Sequence, residues 1–141
     1  MEKKLEKPTI SLRRFHESDA EEVSDLIKKT LIEVNIKHYP KRVIDHLVAH
    51  ITPKHLAVLS RTRHSVVLTE GNDIVATGSY KKRFFGCGIL QTLYVMPAYQ
   101  GQGLGARTVG HLEQVAGAQK VRSMHLEASL WCSGFLYKAR I

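Results

Sequence analysis

Cysteine is nearly missing from this 141-residue chain, which has only Cys87 and Cys132. Two thiols without metal-ligand spacing form neither a disulfide framework nor a metal centre, and they read as buried thiols in a reducing cytoplasm. No apolar run approaches the roughly 20 residues that a bilayer needs, so no spanning helix and no membrane partner are expected. Met1–Ile10 is charged and lacks the apolar stretch of a secretory signal. Repeats, low-complexity tracts and linkers are also lacking, which leaves residues 1–141 as a single domain with room for a core. Acidic residues are scarce: 13 against 21 Lys and Arg, a net charge of +8. That excess favours an anionic partner and weighs against a polycationic substrate, which would be repelled at the entrance. The cations are spread along the chain. Their densest cluster, Lys81-Lys82-Arg83, runs into Phe84-Phe85 and reads as a solvated loop between two strands.

What is present is ordinary globular composition, 43% hydrophobic and 24% charged. Thr9–Arg14 alternates as a short strand. Ser18-Asp19-Ala20-Glu21 has the letters of a capping box, followed by Val23, Leu26, Ile27, Leu31 and Val34 at helical spacing. Pro40 opens a second helix at its first position, with Ile44, Leu47, Val48 and Ile51 on one face. Thr52-Pro53 starts a third, ending near Ser60. Ser65–Glu70 and Ile74–Tyr80 flank the turn letters Gly71-Asn72-Asp73 and predict a hairpin. Ile89–Val95 is a further strand, Leu104–Gln119 a helix, Ser123–Ala128 a strand and Trp131–Arg140 a last helix. This order gives an α+β fold with a mixed, mostly antiparallel central sheet flanked by helices. Only Ile89–Ala128 must form a βαβ crossover.

The informative stretch is Leu93-Tyr94-Val95-Met96-Pro97-Ala98-Tyr99-Gln100-Gly101-Gln102-Gly103-Leu104-Gly105. A strand ends, an irregular loop follows, and glycines line the start of a helix. Glycine permits positive φ and close approach, so several amides can face one anion. The first-turn amides lack intrahelical partners, and the helix dipole adds about half a positive charge there. Such a site holds a pyrophosphate without lysine. A P-loop is excluded, because Gly105 precedes Ala106-Arg107 rather than Lys-Ser or Lys-Thr. A dinucleotide fingerprint fits the letters Gly101-x-Gly103-x-x-Ala106, with Glu127 about twenty residues on. Against it, Met96–Gln100 intervenes between strand and glycine, and only about 50 residues remain for further parallel strands.

Gln100-Gly101-Gln102-Gly103-Leu104-Gly105 after Val95-Met96-Pro97 resembles the Gln/Arg-x-x-Gly-x-Gly/Ala hallmark of the GCN5-related N-acetyltransferase superfamily. The resemblance covers roughly residues 9 to 140. It implies an acyl-coenzyme A N-acyltransferase-like fold. It also implies acetyl-coenzyme A as cofactor, and transfer of the acetyl group to a primary amine of a small molecule or protein. In the family, amides matching Gln100–Gly105, extended to Ala106, cradle the pyrophosphate, with Arg107 as an outer phosphate contact. The strand matching Leu93, Tyr94 and Val95 hydrogen-bonds the pantetheine arm. The sheet splays after Val95, whose amide holds the acetyl carbonyl. Phe135-Leu136-Tyr137-Lys138 resembles the segment that carries a tyrosine acid, which gives Tyr137, although another register gives Leu136. No glutamate lies on Ile89–Val95, so the base is Glu127, directly or through water, or ordered water alone. The family usually continues through Gly-Phe or Gly-Tyr into one or two final strands. This chain stops at Arg140-Ile141, so C-terminal strands are expected to be missing. The sheet would lose an edge or be completed by a second copy, as in a homodimer with strand exchange. A binding module without turnover is the alternative reading.

Other constellations carry less. His46 and His50 stand at i, i+4 without a third ligand and read as solvated, so no metal is expected. Neither Ser79 nor Cys87 lies in a nucleophile elbow. Trp131-Cys132 reads as core or interface. No recognition-helix or aromatic-platform motif supports nucleic-acid binding.

Overall fold

The Val- and Leu-rich run that predicts a strand forms β2 (His64–Glu70), which is buried on both faces along its middle five residues. In the computed structural model, residues 9–127 and 136–140 are described, with the backbone alone for Glu127 and 136–140. Around β2 are β1 (Ile10–Arg14), β3 (Asp73–Lys82), β4 (Cys87–Val95), β5 (Ser123–Glu127) and β6 (Leu136–Arg140). They form one sheet in sequence order, antiparallel throughout except for the parallel pair β4–β5. The helices are α1 (Ala20–Glu33), α2 (Lys41–His50), α3 (Pro53–Ser60) and α4 (Leu104–Ala118).

Strand alternation sorts the core into two layers. Val67, Ile74 and Tyr94 point to one face, where they pack with Val23, Leu26, Ile27 and Leu31 of α1, Ile44 of α2 and Leu56 of α3. Val66, Tyr80, Leu90 and Met124 point to the other, against Leu112 and Ala116 of α4. Helix α4 is thus the crossover between β4 and β5. It lies close to the sheet at Gly78, where an added Cβ would stand 2.6 Å from Cγ2 of Thr108.

Several expectations shift. Asp19, not Ser18, holds the N-cap position of α1, and its side chain caps no amide of that helix. Its carboxylate accepts the His16 N–H at 2.8 Å and both terminal nitrogens of Arg13 at 2.8 and 2.9 Å. Arg13 draws the Asp19 carboxyl below its usual range against the opposing effect of burial, with the His16 amide adding to the pull. Pro40 is the N-cap of α2 rather than its first residue, whereas Thr52 caps α3 as expected by accepting the His55 N–H at 3.1 Å. β3 and β4 extend to Lys82 and back to Cys87, which shortens the basic loop between them to a tight turn.

The largest change is at the C-terminal end. The expected helix over 131–140 is not formed by Leu136–Arg140. These residues are a strand that pairs antiparallel with β5, from Glu127↔Leu136 to Ser123↔Arg140. A strand therefore does cover the far side of β5. Trp131, Cys132 and Ala128 lie outside the described residues. Among those described, no helix is long and apolar enough to cross a membrane.

Candidate functional site

Pro97–Tyr99 makes one 3-10 turn after β4, and Gln100 then returns to an extended backbone. Gly101 and Gly103 both take φ +80°, the left-handed region that a side chain disfavours. A Cβ on either would meet nothing within 4 Å, so glycine is required for its backbone and leaves the space above open. Gly103 is the N-cap of α4 and offers no side chain to the first-turn amides, and no acidic residue lies in that turn. The first helical bond is Arg107 N–H to Gly103 O at 3.0 Å. The N–H groups of Leu104, Gly105 and Ala106 precede it in the helix, and among the described residues no carbonyl accepts them. Gln100 braces the loop from below, donating through Nε2 to the Val95 carbonyl at 3.1 Å.

The same end of β4 has an unpaired edge. Parallel pairing with β5 runs from Cys87↔Ser123 to Leu90↔Leu126 and stops. The strands part there, five residues before the end of β4, rather than after Val95 as the resemblance implied. On the β3 side, Gly78 faces two residues of β4, Thr92 and Leu93, because pairing jumps from Ser79↔Gln91 to Thr77↔Tyr94. Thr92 takes φ +55° in this bulge, which kinks the strand away from its neighbour. Beyond it, Met96 N–H bonds Val75 O of β3 at 2.8 Å. By strand alternation the N–H groups of Leu93 and Val95 point the other way, into the gap. Donors along a strand edge and donors at a helix start thus line one continuous surface.

A cleft of about 370 Å³ opens between these groups. Its walls are Leu93, Tyr94, Val95, Gln100, Gly101, Gly103, Leu104 and Gly105, with Thr30 of α1, Asn35 from the turn that follows α1 and Tyr99 from the 3-10 turn after β4. Hydrogen bonding with Glu70, ahead of burial, raises the pKa of the Tyr99 phenol. Thr30 is buried, donates to Leu26 O at 2.8 Å and faces Val95 O at 3.5 Å.

The structure brings Leu93, Tyr94, Val95, Gln100, Gly101, Gly103, Leu104 and Gly105 into one site, with Ala106 supplying the third orphan amide. Gln102 lies between the two glycines, in the same loop but outside the cleft wall. Tyr94 also lines the cleft, although its side chain is largely buried among α1 residues and its backbone pairs with Thr77 of β3. Arg107 is committed elsewhere: Nη1 donates to Ile10 O of β1 at 2.7 Å, tying α4 to the edge strand. Glu127 is the first residue of β5 past the last β4 pair, at the mouth of the gap. Tyr137 lies on β6 opposite Leu126, one strand further from β4. Thr30, Asn35 and Tyr99 were not foreseen. Thr30 and Asn35 come into place through the packing of α1 and the turn after it, which no local pattern encodes, whereas Tyr99 lies within the loop segment itself. His46 and His50 are both exposed, and a ring nitrogen of His50 bonds the His46 carbonyl at 2.7 Å.

A parted pair of parallel strands beside a glycine-started helix offers room and donors suited to an extended, phosphorylated ligand. The chain belongs to the acetyltransferase (GNAT) family, whose model matches residues 22–131. No curated protein is significantly similar to it in sequence. Among solved structures it is similar to the PaiA N-acetyltransferase of Thermoplasma acidophilum in complex with coenzyme A. The TM-score is 0.76 at 14% identity, over 85% of this chain and 79% of that one. A GNAT family acetyltransferase from Brucella melitensis in complex with acetyl-coenzyme A aligns over 95% of this chain and 89% of that one, with TM-score 0.67 and 15% identity. The ribosomal-protein-S18-alanine N-acetyltransferase of Escherichia coli aligns at TM-score 0.63 and 17% identity, covering 85% and 67%. Acetyl-coenzyme A is the acetyl donor of this family.

Proposed function

We propose that the chain is an N-acetyltransferase that passes the acetyl group of acetyl-coenzyme A directly to a primary amine within a ternary complex. One observation carries this reading: the orphan amides at the start of α4 adjoin the unpaired edge of β4. The two donor rows suit a diphosphate and an amide-bearing tail in turn. The residues present fit the coenzyme. Gly101 and Gly103 leave the approach to Leu104, Gly105 and Ala106 N–H free of any Cβ, while Leu93 and Val95 offer an edge for the pantetheine amides. When bound, acetyl-coenzyme A supplies a thioester acetyl. The Val95 N–H is positioned to hold a carbonyl oxygen and to favour charge developing on it.

The acceptor must arrive with a neutral nitrogen. An alkyl amine with pKa about 10 resists losing its proton at neutral pH by roughly 4 kcal/mol. Glu127, at the mouth of the gap, takes that proton directly or through water, and Tyr137 returns one to the departing sulfur. The S18-alanine enzyme is named for a ribosomal-protein acceptor, whereas for this chain the reading extends only to the primary-amine class. A second reading, a coenzyme-binding module without turnover, is favoured by one fact: β4 from Cys87 to Val95 has no carboxylate.

A thermal-shift comparison of acetyl-coenzyme A, NAD and ATP tests the cradle, with stabilisation by the first and not by NAD expected. Stabilisation by NAD alone would overturn the assignment. Steady acetyl transfer to a panel of primary amines, lost in Glu127→Gln or Tyr137→Phe, supports the enzyme. Binding with the thioester left intact supports the module.

A further inference from the structure

The turn between β3 and β4 combines features that the acetyl-transfer site does not use. Phe84 is 82% exposed and Phe85 101%, so the second ring packs on none of the described residues. Cys87 N–H bonds Phe84 O at 3.2 Å, closing a four-residue turn whose central residues, Phe85 and Gly86, have φ +59° and +70°. Both centres positive is the type I′ geometry, which favours Asn, Asp or Gly at the first centre. A phenylalanine there is strained and fully hydrated at once, and nothing in the fold requires it.

Cations gather around the pair. Lys82 and Arg83 are exposed on the turn itself, with Lys81 half-buried behind them. The α4–β5 connection is bound to the same turn, with Arg122 N–H donating to Gly86 O at 2.7 Å, and Lys120 and Arg122 are both exposed. Residues 80–88 and 117–126 contain no Asp or Glu. Among the described residues none of these five cations is in an ion pair. The turn stands at the opposite end of the nine-residue β4 from the glycine loop, about 25–30 Å away.

We infer that this turn docks the protein on an anionic lipid surface, with Phe84 and Phe85 entering the headgroup–acyl boundary and the five cations facing the lipid phosphates and carboxylates. Two rings on a protruding turn suit a medium that deforms around them, and cations beside them add attraction to anionic headgroups. A second copy of the chain is disfavoured, because it would set the same cations against each other. A stacking platform for bases presents aromatic rings on a sheet or groove, whereas these rings are on a turn tip. The sequence reading expected a solvated loop and no membrane partner, and this inference departs from it.

The test is co-sedimentation of the full chain with phosphatidylcholine vesicles, with and without added phosphatidylserine. Wild type is expected to bind the anionic vesicles about tenfold more than the neutral ones. The double variant Phe84→Ser with Phe85→Asn is expected to lose about tenfold in binding. Its melting temperature should be unchanged or higher, since Asn accepts positive φ, and its coenzyme A affinity should match wild type. Lys82→Glu with Arg83→Glu should also abolish sedimentation. Equal binding to both vesicle types, retention of binding by the double Phe variant, or no sedimentation at all would overturn the inference. So would a single-stranded oligonucleotide that the Phe pair binds while vesicles do not. Because coenzyme A binding is read separately, failure here leaves the acetyl-transfer reading standing.

Discussion

Gly103 ends the loop at φ +80° and begins α4 as its N-cap. A β-branched side chain there costs backbone energy and covers the orphan amides together. Gly103→Val is expected to weaken coenzyme A binding by about tenfold to a hundredfold, read by calorimetric titration, with a melting point a few degrees lower. The loop glycines were legible as letters, because left-handed geometry selects glycine almost by itself. Arg107 was not. Its guanidinium reaches Ile10, 97 residues away in sequence. Two titrating side chains add a pH dependence. Asp19 has its pKa lowered in the fold, so its contribution is complete above its unfolded value near 4 and is lost as the pH falls through the folded one. His64 is lowered chiefly by burial, aided by Arg14 and His111, so its neutral form is favoured and stability declines as the pH drops below about 6.5. Urea midpoints should therefore fall in two steps between neutrality and pH 3, and Asp19→Asn should remove the lower one.

Among the elements, α4 matters most, because its start forms the proposed cradle and its flank seals the sheet. The contact at Gly78 sets how closely it lies. Thr108 cannot swing aside freely, since its hydroxyl donates to Leu104 O at 2.8 Å. Gly78→Ala is expected to destabilise by about 1–3 kcal/mol in urea unfolding and to weaken coenzyme A binding by displacing the helix start. Helices α1 to α4 and the hairpin could be read from periodicity and turn letters. The C-terminal strand could not: Phe135-Leu136-Tyr137-Lys138 is too short for its period to separate helix from strand, and pairing with β5 decides it. β4 starts early for a similar reason. Gly88 has little strand propensity, but an added Cβ would stand 2.6 Å from Met124 Sδ and 2.7 Å from Tyr80 Cε2, and that packing holds it extended.

Across the whole molecule, the net charge of +8 suits both an anionic cofactor at one end of β4 and an anionic surface at the other. Family and cofactor were legible because the glycine loop sits in one strand–loop–helix segment. The parting of β4 and β5 was misplaced because it depends on where two distant strands diverge. It also has a consequence for the ligand-free protein. Among the described residues only four strand pairs, Cys87–Leu90 with Ser123–Leu126, join the first four strands to the last two, so this seam is a natural place for local opening. Hydrogen–deuterium exchange should find the Leu93 and Val95 amides rapid in the free chain. Saturating coenzyme A should slow them, together with the whole of β5, as the bound thiol arm becomes the stitch across a sheet that is otherwise half unzipped.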